Sequence, residues 1–66
     1  MKKVTDESLL DSYYLGWEHQ SNDVKMPDWF NSDIEKYAYL KGIMDFDLDL
    51  HKNNDEILKE IKREFK

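Results

Sequence analysis

The sequence contains no cysteine, a single proline and two glycines among its 66 residues, and no apolar run of membrane-spanning length. Without cysteine there are no disulfides, no thiolate metal sites and no thiol redox chemistry, which fits a reducing compartment. Met1-Lys2-Lys3 is followed by Val-Thr-Asp-Glu rather than by an apolar signal core. The expected location is therefore the cytoplasm, that of a bacterial host cell if the chain is phage-encoded, and no membrane contact is expected. A chain this short holds one domain, residues 1–66, whose core only just offsets chain entropy. Walls for a pocket of roughly 300 Å³ or more are hard to spare, so neither enzymatic activity nor a cofactor is expected.

Basic clusters are also missing. The formal charge is −5, from ten Lys and Arg against fifteen Asp and Glu. Residues 1–20 sum to −2, residues 21–50 to −4 and residues 51–66 to +1. Binding phosphates requires clustered Lys and Arg, so direct nucleic-acid binding is not expected.

What the chain has in quantity is aromatic side chains, 14% of its residues, and these argue for a folded domain despite the high charge. From about Thr5 to His19, Leu9, Leu10, Tyr13, Tyr14 and Trp17 recur at spacings of three and four, the pattern of a helix with one apolar face. Thr5 is placed to cap it, with Asp6 and Glu7 in the first turn. Gln20-Ser21-Asn22-Asp23 ends it, and Met26-Pro27 marks a connector. Trp29 and Phe30 in that connector predict a loop that folds back on the core. Ser32-Asp33-Ile34-Glu35 reads as a capping box opening a second helix. Its Ile34, Tyr37, Ala38, Leu40, Ile43, Met44 and Phe46 make an apolar surface wide enough for a central element. A third helix starts near Asn53 or Asn54, with Ile57 or Leu58, Ile61 and Phe65 as its stripe and Lys62, Arg63 and Lys66 at its basic end. The expected fold is all-α: a small three-helix domain, helices one and two forming a hairpin joined by a Pro/aromatic loop.

Gly16 and Gly42 each lie inside a helix, three residues after Tyr13 and Tyr39. A helix-interior glycine costs about 1 kcal/mol relative to alanine, and close helix–helix packing is the reading that accounts for both. The two Tyr-x-x-Gly steps, with Pro27 and Trp29 between them, resemble the ribosome modulation factor group and related short helical-hairpin proteins of bacteria and phages, over residues 9–46. That resemblance implies a two-helix hairpin. Ribosome binding, the family's activity, stays an alternative, since contact with ribosomal RNA calls for Lys and Arg where this chain carries acids.

Asp45, Asp47, Asp49, Asn53 and Glu56 occupy the first, third, fifth, ninth and twelfth positions of a twelve-residue window, the liganding positions of an EF-hand loop. Leu50 stands where the turn requires Gly, and Lys52 where an apolar residue belongs. The favoured reading is no metal, with Asp45, Asp47 and Asp49 as a solvated acidic rim; calcium at Asp45, Asp47, Asp49 and Glu56 is the alternative. His19 and His51 have no metal-binding spacing, and the serines lack a neighbouring base.

The functional expectation is a small acidic protein-binding module, an inhibitor or regulator of phage or mobile-element type that occupies a basic surface of a host nucleic-acid-handling or defence protein. Aromatics in excess of what three short helices bury, together with an acidic face, motivate it. Asp28, Trp29, Phe30, Asp33, Asp45, Asp47 and Asp49 are the expected partner-binding residues. Self-association into a homo-oligomer is the alternative of a different class.

Overall fold

Thr5 starts the first helix. Its Oγ1 accepts from the Ser8 backbone N–H at 3.1 Å and Ser8 Oγ accepts from the Thr5 N–H at 2.9 Å, a reciprocal capping box that opens α1 (Asp6–Ser21). Ser32 caps α2 (Asp33–Asp47) by accepting from the Glu35 N–H at 3.3 Å, while its hydroxyl donates to Glu35 Oε1 at 2.9 Å. The box predicted on α2 is thus a side-chain pair at its reciprocal half, and the full box lies on α1. Asn53 caps α3 (Asn54–Glu64) through the Glu56 N–H at 2.8 Å, and Lys62 and Arg63 occupy its last turn. This computed structural model describes residues 4–28, 30 and 32–65, and among them it is all-α, without strands.

The first two helices end alike. At α1 the Val24 N–H donates to the His19 carbonyl at 2.8 Å and the Asp23 N–H to the Gln20 carbonyl at 3.3 Å, with Asp23 at φ 58°. At α2 the Leu50 N–H donates to the Asp45 carbonyl at 2.8 Å and the Asp49 N–H to the Phe46 carbonyl at 3.1 Å, with Asp49 at φ 56°. Both are Schellman turns, and both place an aspartate in the left-handed position that glycine fills most readily. This settles the end of α2: the chain leaves the helix after Asp47 instead of continuing to Leu50.

The glycines are needed elsewhere, where α1 and α2 form a close-packed hairpin. A Cβ on Gly16 would overlap the Tyr39 carbonyl oxygen of α2 and lie 2.9 Å from its carbonyl carbon. A Cβ on Gly42 would overlap the Tyr13 carbonyl oxygen of α1 and lie 3.0 Å from its carbonyl carbon. Each helix thus presents a tyrosine backbone to the other helix's glycine. Around this crossing Leu9, Tyr13, Ala38, Ile57 and Ile61 form the buried core, ringed by Val4, Leu10, Trp17, Ile34, Tyr37 and Leu58. Tyr39 is fully buried as well. Its hydroxyl meets His19 Nδ1 at 2.8 Å, and the Phe30 ring packs on it edge-on with centroids 5.1 Å apart. The connector therefore does fold back, at Phe30; Trp29 lies outside the described residues.

Two outcomes test this construction. Gly16→Ala or Gly42→Ala is expected to cost about 2 kcal/mol, the overpacking penalty exceeding the gain in helix propensity. The double variant should cost less than the sum, because the first alanine has already parted the helices. Urea denaturation reads both, and a neutral single alanine would overturn the close crossing. By contrast, Asp23→Gly relieves a left-handed aspartate and an acid at a helix C-terminus, for a gain of about 1 kcal/mol, or about 4–8 °C in melting temperature.

Candidate functional site

Of the seven residues expected to form one surface, Trp29 lies outside the described residues and the other six fall into separate groups. Asp28, Phe30 and Asp33 do come together at the start of α2, where they line a shallow depression of about 270 Å³ with Met26, Pro27, Ser32 and Lys36. Asp47 and Asp49 lie at the far end of the helix, and both are exposed. Asp47 Oδ1 accepts from Gln20 Nε2 at 2.9 Å, and Asp49 Oδ1 lies 2.9 Å from His51 Nε2. With 1.5 Å of rise per residue, about 20 Å of helix separates the two groups.

Asp45 belongs to neither. It is 1% exposed, so it is not part of a solvated rim. Ala38, Gly42 and Asp45 are spaced four and three apart and share the face of α2 that packs on α1. Its Oδ2 accepts a 2.5 Å hydrogen bond from the Tyr13 hydroxyl and lies 3.3 Å from Lys52 Nζ. The same geometry dismantles the EF-hand alignment. Lys52 sets an ammonium against the carboxylate that would be the first calcium ligand, and the left-handed turn at Asp49 separates the remaining acids. Among the described residues no three His, Cys, Asp or Glu side chains are grouped to hold a metal ion, so Asp45, Asp47, Asp49 and Glu56 form no such set.

Asp45 instead begins a chain of charges that the sequence reading did not foresee. Lys52 Nζ also contacts Glu60 Oε1 at 2.7 Å, Lys41 Nζ lies 3.0 Å from the same oxygen and 2.8 Å from Glu64 Oε1, and the Tyr37 hydroxyl donates to Glu64 at 2.6 Å. Three carboxylates and two ammoniums thereby tie α3 and the connector before it to α2 and to Tyr13 of α1. Burial, then the Asp45 carboxylate, pushes the Tyr13 hydroxyl far above the usual tyrosine range. Burial pulls both lysines down, yet their bonds to Glu64 and Glu60, and to Glu60 and Asp45, carry Lys41 and Lys52 upward. The Lys52 bond holds Glu60 below its ordinary value, and the Lys41 and Tyr37 bonds hold Glu64 down at about 2.

The second unforeseen feature faces outward. Leu40, Met44 and Leu48 stand one turn apart and are 43%, 53% and 60% exposed. Leu40 and Met44, expected on the wide apolar surface of a central helix, lie outside, because α2 buries only the face bearing Glu35, Ala38, Tyr39, Gly42 and Asp45. The signal was present as a four-residue repeat offset from the Tyr-x-x-Gly step. Asp33 and, one turn before Leu40, the exposed Lys36 stand at one end of this stripe, and Asp47 and Asp49 at the other. Among the described residues no helix is long and apolar enough to cross a membrane, so the stripe is not part of a spanning segment. No family model matches the chain, and neither a curated protein nor a solved structure matches it.

The ion chain sets an acid limit on stability. Glu60 and Glu64 titrate lower in the folded chain than in the unfolded one, so the folded state binds fewer protons as the pH drops through this range. The stabilisation is complete above pH 4.5 and is lost progressively toward pH 2, the window set by the ordinary and folded values of Glu64. Glu64→Gln should flatten that part of the stability–pH curve, followed by denaturation at successive pH values. An unchanged slope would remove Glu64 from the account.

Proposed function

We propose that the chain is a protein-binding module that docks on a basic partner through the outer face of α2. The observation that carries this reading is the stripe Leu40, Met44 and Leu48, held out on a capped helix with Asp47 and Asp49 at one end and Asp33 beside Lys36 at the other. Exposing three large apolar side chains in a row works against solubility, and such a patch rimmed by charge is the usual form of a protein-interaction surface. A matching partner has an apolar groove bordered by Lys or Arg. Basic grooves are characteristic of proteins that handle nucleic acids, so the module acts as an inhibitor or regulator by occupying such a surface on a nucleic-acid-handling or defence protein.

Self-association through the same stripe is the competing reading, and the acids argue against it. Two copies paired antiparallel along α2 set Asp33 and Lys36 of one against Asp47 and Asp49 of the other, three acids to one cation, and a parallel pair brings the two Asp47 and Asp49 ends together. A homodimer formed this way therefore strengthens with salt, whereas the complex with a basic partner weakens.

A comparison of wild type with the double variant Leu40→Ser/Met44→Ser tests the proposal, since both side chains are exposed and their loss leaves the core intact. The wild type should retain a basic protein from a lysate at about 0.05 M salt and lose it at about 0.5 M, where the screening length falls to a few ångströms. The double variant should retain none at either. Retention by the variant, or a sedimenting dimer of the wild type that tightens at high salt, would overturn the reading.

A further inference from the structure

A second surface of the molecule has the chemistry to recognise one particular side chain. Tyr13, Tyr14, Trp17, Leu50, His51 and Lys52 line an open groove of about 270 Å³ between α1 and the segment joining α2 to α3. Its walls are mostly flat rings. Trp17 and His51 lie with centroids 5.2 Å apart, and Trp17 is braced from behind by Phe46 at 5.3 Å. Tyr14 stands edge-on to Tyr13 at 5.3 Å, and its hydroxyl is anchored to Asn54 Oδ1 at 2.5 Å. The rings are thus held in place before anything binds.

The charge around the groove favours a cation. Lys52, the only permanent cation among the lining residues, is turned inward: its side chain is 14% exposed, and its ammonium contacts Asp45 and Glu60. The chain of charges that Lys52 joins, Asp45, Lys52, Glu60, Lys41, Glu64 and Arg63, pairs three carboxylates with three cations and leaves no positive charge in excess. At the rim, Asp49 has an 89% exposed side chain, and its Oδ1 is held by His51. Aromatic faces beside an exposed carboxylate attract a cation over the ring plane, and a planar guanidinium stacks on indole and imidazole better than a compact ammonium does. We infer that this groove receives an arginine side chain of the partner, its guanidinium laid over the aromatic wall that Trp17 and His51 form together, with the Asp49 carboxylate beside His51. The inference rests on the proposed basic partner and adds to it the residue type that is read.

The experiment uses the whole chain and three acetylated, amidated tripeptides, Gly-X-Gly, in which X is arginine, lysine or citrulline. NMR follows the Trp17 indole N–H, assigned with a Trp29→Phe variant, and the His51 ring. The arginine peptide should shift both signals saturably. The lysine peptide should bind roughly threefold more weakly, and citrulline, flat but uncharged, should not saturate. Asp49→Asn should weaken arginine binding by roughly the same factor. His51→Ala, which is exposed and leaves the core untouched, should abolish the Trp17 shift. Absence of a saturable shift with the arginine peptide, or an equal response to citrulline, overturns the proposal. If the peptide fails while partner capture still depends on Leu40 and Met44, the groove is refuted and the α2 reading stands. If the peptide binds while the stripe variant keeps its partner, the α2 reading falls alone.

Discussion

The close approach of α1 and α2 at Gly16 and Gly42 determines most of what else the chain must do. With two backbones this near, each tyrosine is turned so that its hydroxyl leaves the crossing at a fixed place. Tyr13 meets Asp45, and Tyr39 meets His19. Each partner lies three residues beyond the glycine of its own helix, so the two helices carry the same register: Tyr13, Gly16, His19 and Tyr39, Gly42, Asp45. The repeat is a cross-brace in which each helix supplies the space, the ring and the polar stop that the other uses. A buried tyrosine hydroxyl without an acceptor is costly, which explains why a polar residue recurs at the third place of the register.

One arm of that brace buries a carboxylate, and the rest of the molecule answers it. A buried charge must be paired, and the pairing ion is Lys52, in the connector beyond the left-handed turn at Asp49. Because Lys52 reaches back to Asp45, the connector is drawn over the middle of α1, and that position forms the groove beside Trp17. Because Lys52 also holds Glu60, the same ion sets where α3 lies. Only Ile57 and Ile61 of α3 are fully buried, so its attachment depends on charge to a degree that the α1–α2 crossing does not. Stability is therefore layered, with a hairpin held by close packing and a third helix held by Ile57 and Ile61 in the core together with ion pairs that acid weakens.

The fold was legible to the extent that it depends on local signals. Thr5, Ser32 and Asn53 act within one turn of themselves, and the apolar spacings of α1 and α3 need no knowledge of the other helices. The two Tyr-x-x-Gly steps even revealed where the helices touch. What could not be read was the phase of α2. Asp45, Asp47 and Asp49 look equivalent as a run of alternate acids, and only the direction of the α1 contact tells that Asp45 is inside while the other two are outside. The same ambiguity concealed the Leu40, Met44 and Leu48 stripe among the apolar residues of a helix taken to be central. The ion chain was invisible for a different reason: its members lie on α2, α3 and the connector, and no spacing rule links Lys41 to Glu64.

The inversion along α2 is what gives the functional reading its force. A helix that served only to close a three-helix core would place Asp45 outward and Leu40, Met44 and Leu48 inward, since each exchange lowers both the desolvation of charge and the exposure of apolar surface. This helix does the reverse at four positions. The buried acid has its explanation within the fold, because it receives Tyr13 and recruits Lys52. The exposed stripe has none there, as it contributes nothing to the crossing, the core or the ion chain. A local rule broken without a structural gain is where the demands of function are expected to lie, and here it lies on the outer face of a helix whose inner face is already fully used.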